Sequence, residues 1–164
     1  MDSIESLEAL GLKVKVAQHT LDRFGYFPAD DETRAAEVNQ AFADKQVKAI
    51  IALKGGWGAA RTLPFLDYDL IANNPKILLG YSDITALLNA ITLKTGLITF
   101  HGPTAGSAWS SFSAQNVREV LFEGKAQHME NPQDKGDYLT VRNNRTQTIM
   151  PGTAEGVLVG GNLS

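Results

Sequence analysis

Ser82 stands in the segment KILLGYSDIT, residues 76–85, where a strand-like run of Ile77 to Leu79 and Tyr81 surrounds a glycine and meets a lone serine, an acid and a helical pattern. A serine hydroxyl held on a turn between strand and helix can attack a carbonyl carbon. The free N–H groups at the start of the following helix can then hold the oxyanion that forms. Gly80 leaves room for such a tight turn, although the order G-Y-S-D-I differs from the G-x-S-x-G of ordinary lipases and esterases. A serine at this junction is more often just an N-cap that satisfies one free amide, and local pattern does not decide between the readings.

The glycine turn GGWGAAR, residues 55–61, poses the same choice. Its order is neither G-x-x-x-x-G-K-[ST] nor a complete G-x-G-x-x-G, so a nucleotide phosphate is weakly supported. The glycines are otherwise plain turn residues, or they bring an amide of Gly55 or Gly56 to Ser82 as part of an oxyanion hole. Arg61 is a solvated helical arginine or a clamp for a carboxylate. Trp57, between glycines, is placed to line a substrate cleft, and Trp109 to pack a loop against the domain or a partner.

His19, His101 and His128 lie far apart, with no second ligand at helical spacing, and there is no cysteine. Thiolate sites are excluded, and no metal or other cofactor is expected. His101 closes the run LITFH and lines the cleft or bonds to backbone near Gly102 and Pro103; as a base it would lack an identifiable orienting acid. His19 and His128 read as surface residues. Asp67 and Asp69 suit a helix cap better than a metal.

These residues must be positioned by an α/β framework. Ile4, Leu7 and Leu10 share a helical face that Gly11 ends, LKVKVA (12–17) alternates like a strand, and Asp30 or Asp31 caps a helix burying Ala35, Val38 and Phe42. Strands are expected over 47–53, 77–81 and LITFH, with a helix from about Ile84 to Lys94 stopped by Gly96. The near-continuous apolar runs suit strands buried on both faces. The expected class is a doubly wound, mostly parallel sheet with flanking helices, flavodoxin-like or like the class I glutamine amidotransferases. Residues 1–124 form this α/β domain. Residues 125–164, with turn clusters between β-prone runs, read as an antiparallel hairpin or linker leading toward a further domain.

The 15 Lys and Arg are scattered and net charge is −3, which leaves no footprint for nucleic acid or an anionic membrane. No run approaches the ~20 apolar residues of a membrane span, and MDSIESLEAL is unlike a secretory signal, so the cytoplasm is the expected compartment.

Taken in order, AIIALKGGWGAARTLPFLDYDLIANNPKILLGYSDITALLNAI, GLITFHGP and EGVLVGGNLS closely resemble the LD-carboxypeptidases, a serine peptidase family that includes the microcin C self-immunity peptidases. The resemblance runs from LEALGLKV to the last residue. It implies a serine hydrolase with Ser82 as nucleophile and an oxyanion hole from the amides of Asp83 and Gly56, with Gly55, Trp57 and His101 lining the substrate site. Typical members remove the terminal D-alanine from murein tetrapeptides during peptidoglycan recycling.

In the family the histidine base and its glutamate lie in a carboxy-terminal domain beginning around GGNLS. Members also usually start with a further strand and a PSS-like turn before the first helix. The resemblance therefore implies an amino-terminal domain, inactive alone, whose partners are a peptide substrate, the missing carboxy-terminal domain and, since members are often dimeric, a second copy. A peptidyl-nucleotide peptidase of the same family and a non-catalytic flavodoxin-like module holding an anion are the alternatives.

Overall fold

A computed structural model describes residues 2–128 and 149–161. Helix α1 (Asp2–Ala9) ends where Gly11 takes a φ of 89°, its amide bonding back to the Glu8 carbonyl. Helix α2 (Asp31–Ala43) starts at Asp30, whose carboxylate accepts the Thr33 amide at 2.7 Å, and buries Ala35 and Phe42 completely. Strand β1 (Ala49–Ile51) feeds the glycine turn, which opens a 3-10 helix over Ala59–Phe65. Helix α3 (Tyr68–Asn73) is capped by Asp67, which accepts the Leu70 amide, as its sequence suggests. Strand β2 (Ile77–Gly80) leads through a single turn, Ser82–Ile84, into α4 (Thr85–Thr95), closed by Gly96 at φ 74°.

Strand β3 (Phe100–His101) completes a parallel sheet of order β1-β2-β3, with Ala49 opposite Ile77 and Gly80 opposite His101. The α/β class with a parallel sheet is the one the apolar runs imply. The main core lies between β2 and helices α2, α3 and α4: Phe42, Ile71, Leu78, Leu88 and Ile91 pack with Ala35 and Leu66. A sheet built this way directs its strand ends, and the turns after them, toward one edge.

Three expectations change. LKVKVA forms no strand, because the backbone of residues 13–16 meets no partner among the described residues. The run LITFH is strand only at its last two residues, which pair with Leu79 and Gly80, and the Thr99 side chain before them bonds to Thr92 and to the Leu88 carbonyl of α4. Helix α5 (Ser111–Val117), capped by Ser110 and continued by a π turn over Arg118–Phe122, was not foreseen. Residues 149–161 carry no strand and lie exposed, and Asn89 donates to the Gly160 carbonyl. The rest of the expected hairpin, 129–148, lies outside the described residues.

Candidate active site

Strand β2 stops at Gly80 for a steric reason. A Cβ there would sit 2.7 Å from Ile84 Cγ2 and 3.3 Å from Ala52 Cβ, so only glycine lets the returning turn close on the strand. Tyr81 is still extended, at φ −150°. Ser82 then adopts φ 60°, and it is the one non-glycine residue with positive φ among the described residues. For an L-residue that conformation costs about 1–2 kcal/mol, and such strain persists only where its surroundings impose it.

Ser82 is not acting as a cap. Tyr81 occupies the cap position of the 82–84 turn, no side chain closes it, and the Ser82 hydroxyl makes no hydrogen bond among the described residues. The hydroxyl faces the glycine turn. A Cβ on Gly55 would meet Ser82 Cβ at 2.8 Å and Ser82 Oγ at 3.1 Å, so the Gly55 backbone lies directly against the serine side chain. Gly56 follows at φ 132° and Gly58 at φ 99°, and the Phe27 ring fills the place a Gly58 side chain would need.

The two turns are tied together by Asp83. Its carboxylate accepts the Ala59 amide at 2.7 Å, which fastens the start of the 59–65 helix to the turn carrying Ser82. From the other side, Arg34 of α2 donates to the Gly58 carbonyl at 3.2 Å and lies 4.6 Å over the Phe27 ring. Trp57, 71% exposed, stacks on Phe27 at 5.6 Å. The result is an aromatic shelf on the outer side of the glycine turn.

Arg61 is committed within the chain. Its guanidinium bonds both oxygens of Asp31, with Nε at 3.1 and 2.9 Å, and Arg34 reaches the same carboxylate at 2.6 Å. Hydrogen bonding from Arg61, with a further contribution from Arg34, holds the Asp31 carboxyl below the usual carboxylate range. Arg61 stays exposed, as the solvated reading has it, while its guanidinium is paired with a carboxylate of the chain's own.

His101 sits across the β2–β3 register from Gly80, exposed, with its ring edge-on to Tyr81 at 6.4 Å. It makes no hydrogen bond to a carboxylate among the described residues. Trp109 is half-buried, with its indole N–H enclosed and unpartnered. His19 pairs with Asp22 at 2.7 Å, a hydrogen bond that raises its pKa. Ser82, Asp83, Gly55, Gly56 and Trp57 are thus drawn together, with His101 on the next strand. Sequence reasoning missed Phe27 and Arg34, which sit in or beside a loop of ordinary polar and aromatic character, and offered Asp31 only as a helix cap, the role Asp30 takes; the demand of Gly58 for a ring is visible only in three dimensions.

Residues 1–102 match the family model described as the LD-carboxypeptidase N-terminal domain. The chain belongs to the LD-carboxypeptidase family. A probable murein peptide carboxypeptidase of Bacillus subtilis (strain 168) is 39% identical over 158 residues, covering 96% of this chain and 48% of that protein. Among solved structures, the microcin C7 self-immunity protein MccF in its wild-type apo state superposes with a TM-score of 0.73 at 30% identity, over 93% of this chain and 48% of MccF. Muramoyltetrapeptide carboxypeptidase from Oxalobacter formigenes gives 0.66 at 32% identity, over 73% and 42%. This LD-carboxypeptidase chain spans about half the length of the curated relatives it matches. No helix among its described residues is long and apolar enough to cross a membrane.

Proposed function

We propose that this chain is the nucleophile-bearing part of a serine carboxypeptidase that releases the terminal D-alanine from murein tetrapeptides in the cytoplasm. The observation that carries the reading is Ser82: a left-handed serine at the end of a central parallel strand, its hydroxyl unspent and facing a glycine turn. An α/β sheet offers that place to a ligand, and the strain serves to present the hydroxyl.

In the reaction, Ser82 Oγ attacks the carbonyl carbon of the L,D amide bond and gives up its proton to a base. The amides of Asp83 and Gly56 hold the oxyanion. Collapse breaks the C–N bond, D-alanine leaves with a proton on its amine, and water then cleaves the acyl ester. Asp83 acts twice, as an amide donor and as the tie that sets the glycine turn against Ser82. Gly55 gives the serine its space, while Trp57 and His101 flank the substrate.

Among the described residues no imidazole or carboxylate bonds to Ser82 Oγ. The base and its orienting acid are assigned, by the family resemblance, to a carboxy-terminal domain that acts as the chain's partner, and association into homodimers is expected on the same ground. Without a base a serine hydroxyl is a poor nucleophile at neutral pH, so the chain alone is inactive. The likeness to MccF supports a second reading, a peptidyl-nucleotide substrate at the same serine, with the Trp57–Phe27 shelf taking the base.

The test is D-alanine release from L-Ala-γ-D-Glu-meso-diaminopimelyl-D-Ala by the chain alone and by the chain mixed with a separately expressed family carboxy-terminal domain. Release in the mixture only, lost in Ser82→Ala, is the expected result. Ser82-dependent release by the chain alone would overturn the assigned base, and release that survives Ser82→Ala would overturn the nucleophile.

A further inference from the structure

Gly55, Gly56 and Trp57 make no hydrogen bond among the described residues, and Gly56 and Gly58 hold positive φ values of 132° and 99°. Glycine has the widest choice of backbone conformations of any residue. An oxyanion donor, by contrast, acts only if it is already in place when charge develops. The turn proposed to supply the Gly56 amide therefore depends on groups outside it for its shape. Its entry is fixed by backbone, where the amides of Ala105 and Gly106 bond to the carbonyls of Ala52 and Leu53 at 2.9 and 2.8 Å. Its exit is fixed at two adjacent residues. The Gly58 carbonyl accepts from Arg34 Nη2 and from the Arg61 amide, both at 3.2 Å, and the Ala59 amide donates to Asp83 at 2.7 Å. The Arg61 bond is local to the 59–65 helix and the Asp83 bond joins the Ser82 turn. Among the described residues, Arg34 alone ties the exit by hydrogen bond to α2.

The Arg34 side chain is only 16% exposed, and its guanidinium lies over the same Phe27 ring that stands 2.5 Å from where a Gly58 Cβ would be. The Asp31 carboxylate, three residues earlier on α2, accepts the same Nη2 at 2.6 Å and is itself bonded by Arg61, which fixes the direction of the guanidinium. Arg34 Nε, however, is buried without a partner. A buried, unpaired donor is a cost that an apolar side chain of similar length avoids, so stability alone does not account for a guanidinium here. What the guanidinium adds is its bonds to Asp31 and to the Gly58 carbonyl.

We propose that Arg34 is a positioning residue for the hydrolysis at Ser82: by holding the Gly58 carbonyl and the Phe27 ring against the turn, it sets the Gly56 amide where the oxyanion forms. The inference rests on the serine peptidase reading and adds to it a residue of α2 that acts through the glycine turn. Loss of Arg34 leaves Gly58 held by the Arg61 amide alone, with the turn free to drift from Ser82. A misplacement of about 1 Å is enough to cost on the order of 100-fold in rate.

The test uses Arg34→Met, which keeps an apolar stem and loses every donor. In the 164-residue chain alone, amide hydrogen exchange by NMR is expected to be about tenfold faster at Ala59 than in the parent, with Leu78 and Leu79 of β2 still slow. In the mixture with a family carboxy-terminal domain, kcat per folded chain for D-alanine release is expected to fall about 10- to 100-fold with KM within about twofold, because a displaced oxyanion donor is felt only in the transition state. Should Arg34→Met lose the β2 protection, Arg34→Lys makes the same test: its ammonium keeps a charge for Asp31 and ends one bond short of the Gly58 carbonyl. Ala59 protection equal to the parent's overturns the proposal, with no turnover needed to read it. So does an unchanged kcat per folded chain, even with a lowered Tm, which would make Arg34 structural only, and so does a raised KM at constant kcat, which would place it in substrate binding. Turnover that survives Ser82→Ala in the same mixture would overturn the serine reading itself, whereas Ser82-dependent turnover indifferent to Arg34→Met overturns this inference alone.

Discussion

Replacing Ser82 by glycine should leave the fold as stable or more stable while removing the proposed nucleophile. At φ 60° an L-side chain costs about 1–2 kcal/mol, which glycine does not incur. Against this stand about 0.4–1 kcal/mol from the freer unfolded chain and the loss of the contact between Ser82 Cβ and Gly55. The Ser82 hydroxyl makes no hydrogen bond among the described residues, so its own removal costs little. The net is roughly 0–1.5 kcal/mol in favour of Ser82→Gly, whereas Ser82→Ala keeps the Cβ and its strain and stays within about 0.5 kcal/mol of the parent. At ordinary positions the alanine variant is the more stable by about 0.5–1 kcal/mol, so the order is reversed here. For a chain of 164 residues each kcal/mol is about 2–4 °C of Tm, within reach of thermal and urea melts of the three proteins side by side. A glycine variant less stable than the alanine variant by the ordinary margin would refute the claim that the turn is strained at Ser82.

Three further outcomes are expected. Asp83→Ala frees the Ala59 amide and should cost about 1 kcal/mol in urea melts, with Asp83→Asn, which keeps an acceptor, recovering most of it. Asp31 has a folded pKa below its unfolded value, so its contribution is fully present above about pH 4 and is lost as pH falls through the lowered folded value. Acid titration of stability should therefore be shallower in Asp31→Asn than in the parent; equal slopes would show that the pairing with Arg61 and Arg34 contributes nothing. Phe42→Ala, at a fully buried core position, should cost about 3–5 kcal/mol by the same melts.

Local rules were enough wherever an element closes its own account of hydrogen bonds. Asp30 and Asp67 announce helix starts, Gly11 and Gly96 announce helix ends, and the apolar runs around Ile50 and Leu78 announce parallel strands, of which β2 is buried and β1 only half-buried. The alternation of LKVKVA is real, yet a strand exists only when a neighbour accepts its backbone, and that neighbour is not among the described residues. Thr99 likewise lies outside the ladder, next to β3, with its hydroxyl bonded to the Leu88 carbonyl of α4. At the site, the position of Ser82 at a strand's end was legible, but its left-handed backbone was not, because the close approach of Gly55 to the serine side chain is tertiary. The Phe27, Arg34 and Asp31 brace was hidden for the same reason: its members lie more than twenty residues from the glycines they support.

The most direct test of the central claim is where a serine-directed fluorophosphonate lands when the chain is mixed with a family carboxy-terminal domain under conditions that release D-alanine. The account predicts one adduct, on the peptide containing Ser82, formed in step with loss of turnover. Loss of turnover with the adduct on another residue, or D-alanine release that continues after Ser82 is fully modified, would contradict it.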